Sequence, residues 1–228
     1  MSDVSRRSEG EAVIEHTGPE PDAQLAGVPT GILVGAGGDP LILGLPIFVV
    51  GSIALGFVET GYVSAASLGS FVPIVAAATA IGQWVCCRWA IGLGQSIVAC
   101  IFGIFGGFWT SLAFLVLGLN HGWFVIPTAD LVHTEIIYFL SWDIIIFFLL
   151  IPVLRLPLVY IGVIVFVIVA LTLVVLGLEY PGSVTTFDHL AGIAIFIFAG
   201  LGAWGFLNVG TIAMGGPPLP PLGPPLLK

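Results

Sequence analysis

A chain of 228 residues that is 58% apolar and only 8% charged carries more apolar side chain than a soluble core can hide from water. Its net charge of -8 repels phosphate backbones, and just eight of its eighteen charges fall in residues 40–227. Soluble enzymes and nucleic-acid binders are excluded together, and a polytopic membrane protein is implied.

Residues 1–38 are mostly polar, acidic, and rich in Gly and Pro. They hold too little apolar surface to offset the entropy of ordering them, so a disordered acidic tail is expected. The short basic-then-apolar pattern of a cleaved leader is not visible there, and the first span is expected to stay in the membrane.

A bilayer core of about 30 Å needs roughly 20 apolar residues per helix, so interior charges and turn residues act as punctuation. They delimit six spans at 40–58, 64–86, 96–119, 133–154, 157–178 and 189–212, the second ending before Arg88. The run from Ala90 to Leu119 exceeds one span, and Gly92-Leu93-Gly94 makes a poor helix interior, so the third helix should begin near Gln95. The fold class is an all-α integral membrane protein of six transmembrane helices spanning residues 39–214. A Pro-rich segment follows at 215–228, for which an extended polyproline II spacer is expected, with a docked partner as the alternative.

Arg6, Arg7, Arg88, Arg155 and Lys228 all fall on one side of this layout, and Glu59, Asp130, Glu135, Glu179 and Asp188 on the other. Basic residues are retained in the cytoplasm, so both termini are expected there. Within the spans, Gly103 with Gly107, Gly106 with Thr110, Ser52 with Gly56 and Ala76 with Ala80 repeat the small-x-x-x-small spacing of close helix packing. Packing within one protomer and a symmetric homo-oligomer both account for it.

Asp143 sits mid-way along span 4, where facing lipid would cost roughly 2.5–3.5 kcal/mol. It must face protein or water, and its neighbours Phe139, Ile146 and Phe147 offer no partner. Asp143 and His189 are therefore proton-relay candidates, a packing carboxyl bonded to backbone being the alternative for Asp143. Gln83 in span 2 and Gln95 with Ser96 at the start of span 3 place amide donors where they suit a small carboxylate or an interhelical hydrogen bond. Asp188 is a plausible N-cap for span 6, and His133 and Glu135 open span 4.

Four scattered His residues give no metal site, and Cys86, Cys87 and Cys100 read as small buried thiols without disulfide or zinc spacing. No H-E-x-x-H, G-x-S-x-G or paired carboxylates within a span suggests an intramembrane enzyme, and no cofactor is expected. Trp84, Trp89, Trp123, Trp142 and Trp204, with Tyr138 and Tyr180, fall mostly near span ends as an interfacial belt. Trp109 and Trp142 are set deeper, at a helix interface or along a path.

The segment Asp39-Pro40-Leu41-Ile42-Leu43-Gly44-Leu45 resembles the N-P-x-P-x-G-L signature opening span 1 of the acetate uptake transporter family, also called succinate-acetate permeases or YaaH-type proteins. Gln83 matches a glutamine of that family's span 2, Phe105-Gly106-Gly107-Phe108-Trp109 its Y-G-x-F-W, and Tyr138-Phe139-Leu140-Ser141-Trp142 its Y-x-x-x-W. Arg155 and His189-Leu190-Ala191-Gly192 follow in order, so the resemblance covers residues 39–212. The chain departs from the family at Asp39, Ile42, the added Pro46 and Asp143.

The resemblance implies a six-helix protomer in a homohexamer of the plasma or inner membrane, with one path per protomer for acetate and related short carboxylates. Proton-coupled and channel-like passage are both implied. By position it puts an apolar constriction at Phe48, Phe105 and Val167. A substrate path is expected along Asp39, Pro40, Gly44, Leu45, Gln83, Gln95, Trp109 and Thr110. An outer mouth of five carboxylates lowers the local concentration of anions over about 8–10 Å while leaving neutral acids untouched. It also suits a cation, which makes an ammonium-linked exporter one alternative. The acidic and Pro-rich tails suggest another, a non-transporting scaffold.

Overall fold

The computed structural model describes residues 38–227. The acidic tail expected over 1–38, Arg6, Arg7 and Lys228 thus lie outside the described residues, Gly38 excepted. The helices are α1 (Leu41–Glu59), α2 (Ile81–Gly92), α3 (Ser96–Asn120), α4 (Leu131–Val153), α5 (Leu158–Glu179) and α6 (Val184–Ala213). With the turns that lead into three of them, all six are long and apolar enough to cross a membrane.

Three boundaries differ from the sequence-based expectation. Span 2 does not begin as a helix at residue 64. A short 3-10 turn at Ala65–Ser70 precedes Pro73, and a π-helical turn at Ile74–Ala80 leads from that proline into α2. Proline lacks an N–H and clashes with the preceding turn, so a helix tolerates it at its start rather than inside. At its other end α2 runs past Arg88 to Gly92, with Arg88 exposed one turn from the terminus, where a long basic side chain reaches water. Finally, α6 begins at Val184 behind a turn opened by Pro181, five residues earlier than expected. Asp188 therefore lies inside α6 and is not its N-cap; Ser183 holds that position and makes no side-chain cap bond.

Four of the six helix ends follow one rule. At the end of α2, Gln95 N–H donates to Ala90 O and Gly94 N–H to Ile91 O, both at 3.0 Å, and Gly94 has φ +69°. This 6→1 and 5→2 pair needs a left-handed residue, which glycine supplies without a Cβ penalty. The same pair of bonds closes α1 at Gly61, α3 at Gly122 and α6 at Gly215. The turn between α4 and α5, Leu154-Arg155-Leu156-Pro157, has no glycine to do this.

Packing centres on α6, which lies against α1 and α5; α2 pairs with α3 and α4 with α5, while α4 meets α3 through side chains, the Tyr138 hydroxyl donating to Phe108 O at 2.8 Å and the Trp142 ring standing edge-on to Phe108. Small residues permit these approaches within the protomer. A Cβ on Gly107 of α3 would stand 3.0 Å from the Trp142 ring of α4, and one on Gly202 of α6 would stand 3.0 Å from Val49 of α1. The core is aromatic and aliphatic, with Phe48, Phe105, Phe108, Trp109, Ile146 and Phe198 buried at its centre. Cys86 is buried, but Cys100 is exposed, a correction to its reading as a buried thiol.

The Pro-rich segment is not an extended spacer. It doubles back, and carbonyls of Leu219, Pro220 and Pro221 accept hydrogen bonds from side chains of α6. Prolines have no N–H to donate, so few carbonyls of the segment find partners within it and the rest are free to take donors offered by a neighbouring helix.

Candidate functional site

Three cavities lie in series through the bundle, and shared residues show their order. At the end bearing the acidic residues is a vestibule of about 470 Å³, with Glu59 (α1), Glu135 (α4), and Asp188 and His189 (α6) in its wall. The next is a small central cavity of about 30 Å³ lined by Phe48, Phe105, Trp109, Val167 and Phe198. Leu55, Glu59, Phe139 and Val174 line both of these. The third, about 100 Å³, lies toward the end bearing the α4–α5 turn and Arg155, and its wall includes Leu45, Gln83, Val153, Leu156 and Tyr160. Phe48 and Phe105 line both it and the central cavity.

Aromatic rings fill the bundle between the outer two cavities. Phe48 meets Phe105 at 5.0 Å and 65°, Phe198 at 5.5 Å, and Trp109 at 6.5 Å and 68°. Edge-to-face contacts of this kind add about 0.5–1.5 kcal/mol per pair beyond area burial, so the plug is a packed element. A cavity of 30 Å³ is about twice the 10–15 Å³ a single water requires, and apart from Glu59 and Trp109 its wall is apolar.

The local sequence explains how α1 delivers Phe48. The Asp39 carboxylate accepts the Leu41 N–H at 2.9 Å, satisfying a free donor of the first turn. Gly44 leaves room for the Phe102 ring of α3, which a Cβ would overlap. The Gly44 carbonyl accepts from Gln83 Nε2 at 2.9 Å, tying α1 to α2. Ser52 Oγ donates to Phe48 O at 2.7 Å one turn further on. On residues lining these cavities, three buried polar atoms among the described residues have no partner: Gln83 Oε1 and the Tyr160 hydroxyl at the third cavity, and Trp109 Nε1 at the central one.

The sequence-derived residues thus divide. Phe48, Phe105 and Val167 come together around the central cavity, with Trp109 beside them. Leu45 and Gln83 line the third cavity, Pro40 is fully buried, and Asp39 and Gly44 act at the start of α1. His189 lies in the vestibule. Gln95 and Thr110 line none of the three. Thr110 accepts from Trp84 Nε1 at 3.0 Å and donates to Gly106 O, in an open groove on the flank of α3.

Asp143 also lies apart from the three cavities. Its Oδ2 accepts from Thr172 Oγ1 of α5 at 2.8 Å, and its Oδ1 is buried without a partner. Of the five carboxylates assigned to the outer mouth, Glu59, Glu135 and Asp188 share the vestibule, whereas Asp130 and Glu179 do not line it.

Sequence reasoning missed Tyr160, Phe198 and the boundary position of Glu59. Phe198 is one of several phenylalanines in an apolar helix and carries no distinguishing signal. Glu59 was visible as the charge ending span 1, but its place between two cavities depends on how α1 meets α4 and α6.

The model of the GPR1/FUN34/yaaH family matches residues 32–213. No curated protein matches the sequence. Among solved structures, one described as the structure of the bacterial acetate channel SatP is similar in fold, with a TM-score of 0.71 at 20% identity. The similarity covers 81% of this chain and 98% of that one.

Proposed function

The chain belongs to the GPR1/FUN34/yaaH family, and on that premise we propose that it carries acetate and related short carboxylates across a cell membrane, along the axis of each protomer. The observation that carries this reading is the row of three cavities closed at Phe48 and Phe105 by an aromatic plug. The fold it shares with a bacterial acetate channel supports the substrate class.

The plug's chemistry selects the species. An isolated carboxylate moved into apolar surroundings loses tens of kcal/mol of solvation, whereas an unbonded hydroxyl loses about 2–7 kcal/mol. The undissociated acid is therefore the species that crosses, and one proton travels with each carboxylate. Phe48, Phe105 and Val167 form the constriction, with Leu45, Gln83 and Trp109 along the path. Glu59 and His189 stand where protons exchange with the vestibule. Asp143, bonded to Thr172, holds α4 to α5.

The transmembrane domain of residues 39–214 works as a homohexamer in the plasma or inner membrane. Its acidic tail and Pro-rich segment are on the cytoplasmic side, following the basic residues. The vestibule is then external. Its three carboxylates favour a second reading, passage of ammonium, over passage of a free anion.

Labelled acetate uptake into proteoliposomes tests the first reading. At fixed total acetate, uptake above that of empty vesicles should fall about tenfold per pH unit above the acid's own pKa, following the undissociated fraction. No uptake of acetate, propionate or succinate above empty vesicles, with or without a pH gradient, would end it.

A further inference from the structure

The Pro-rich segment lies beyond the residues the family model matches, and it makes the most extensive contacts that the path leaves unexplained. Trp204 Nε1 donates to Pro221 O at 3.0 Å, Asn208 Nδ2 to Pro220 O at 2.8 Å, and Thr211 Oγ1 to Leu219 O at 2.8 Å. These three donors are spaced four and three residues apart, so they form one stripe along the last turns of α6.

The far end of the segment grips the α4–α5 turn. Leu226 N–H and Leu227 N–H donate to Leu154 O at 3.1 and 3.0 Å, and Val159 N–H donates to Leu222 O at 3.0 Å. Leu154 O is one of the carbonyls that a helix end leaves unsatisfied, and Val159 N–H one of the donors at a helix start. Here the segment replaces the glycine closure that four other helices make for themselves.

What it grips is the wall of the third cavity. Val153 and Leu156 flank Leu154, Tyr160 follows Val159, and all three line that cavity. Behind the wall, Tyr160 lies against Gly205 of α6, between Trp204 and Asn208, where a Cβ would stand 3.0 Å from its ring. Tyr138 and Trp142 tie the first half of α4 to α3, whereas the α4–α5 turn beside the third cavity is held to α6 by α5–α6 packing and by this segment. Val98, Ile101 and Phe102 of α3 line the same cavity.

We propose that residues 217–227 are a clasp that holds the α4–α5 wall against α6 and keeps this end of the path closed, so that releasing the segment opens it. A proline-rich segment is suited to the task, because each proline ring fixes φ in advance and less entropy is lost on docking. The proposal rests on the path reading above for its flux measurement but not for its structural one.

Three variants release the clasp by different means. Trp204→Phe with Thr211→Val removes two donors while keeping the bulk of both side chains. Gly223→Ala sets a Cβ 2.9 Å from Leu158 Cβ at a residue with φ +76°, without touching α6. Truncation after Gly216 removes the segment altogether. Release is read by faster deuterium exchange at Leu226 and Leu227, and opening by the labelling of Leu156→Cys with a bulky thiol reagent above the level of the native cysteines.

The expected result is labelling about fivefold faster and acetate uptake severalfold higher in every variant whose segment exchanges faster. Faster labelling in a protein that moves no acetate, parent included, would keep the clasp and overturn the substrate reading. Exchange that speeds up while labelling and uptake stay at the parent rate would overturn the clasp. So would uptake that falls in the truncated protein with its oligomer intact. If either point variant stays docked by exchange, labelling and uptake of the truncated protein decide between these outcomes.

Discussion

The Phe48 ring stands edge-on to Phe105 at 5.0 Å and is in contact with both cavities that the plug separates. Each ring closes the path only because the other fills the remaining space. Phe105→Ala should therefore open the central cavity at a stability cost of about 3–5 kcal/mol. Acetate uptake should rise, larger carboxylates should enter, and dependence on pH should flatten as the anion gains a hydrated route. Uptake of acetate, butyrate and succinate across pH 5–8 checks this. An unchanged pH slope with faster uptake would show that the plug limits size and not charge.

Gly44 and Phe102 make the second prediction. The Phe102 ring occupies the space of a Cβ on residue 44, while Gln83 holds the Gly44 carbonyl from the other side, so α1 has no room to back away. Gly44→Ala should lower stability by about 1–3 kcal/mol, the usual range for overpacking. Adding Phe102→Leu should restore most of it. Thermal unfolding of the detergent-solubilised parent, single and double variants tests the pair. A single variant as stable as the parent would mean that Phe102 moves freely, and the α1–α3 contact would lose its role in aiming Phe48.

Much of the architecture could be read from charges and turns, because lipid allows few ways to satisfy a backbone and each span must be a helix. What failed was local. Pro73 looks unremarkable in an apolar stretch, yet it sets where α2 can begin, and Pro181 does the same for α6. Phe48, Phe105 and Val167 came from family position, and they assemble around one cavity that periodicity alone could not have located. The docking of the Pro-rich segment did leave a trace: Trp204, Asn208 and Thr211 make a polar stripe at the end of an apolar helix. Without its acceptor in view, Trp204 reads as part of an interfacial belt.

Asp143 and Thr172 give a prediction that separates relay from packing. The carboxyl takes one hydrogen bond from α5 and lies apart from all three cavities. Asparagine can still accept through its Oδ1, so Asp143→Asn should leave acetate uptake and its dependence on a proton gradient within about twofold of the parent. Thr172→Val removes the donor and strands a partly buried carboxyl, which should cost about 1–3 kcal/mol in unfolding. Collapse of gradient-driven uptake in Asp143→Asn, with stability retained, would return Asp143 to the proton route.

The acidic vestibule distinguishes the permeant by the sign of one effect. A negative potential there lowers the local concentration of anions, raises that of cations, and leaves a neutral acid unaffected. Replacing Glu59, Glu135 and Asp188 together by their amides removes that field. If the undissociated acid crosses, acetate uptake at a fixed concentration of undissociated acid should stay within about twofold of the parent at low and high salt. If the anion crosses, uptake should rise in the variant at about 0.01 M salt and converge with the parent at 1 M, where the Debye length has shrunk from about 30 to 3 Å. If ammonium is the cargo, its flux should fall in the variant, again converging at high salt. The three outcomes differ in direction, so uptake at two ionic strengths decides among them without any assumption about rate.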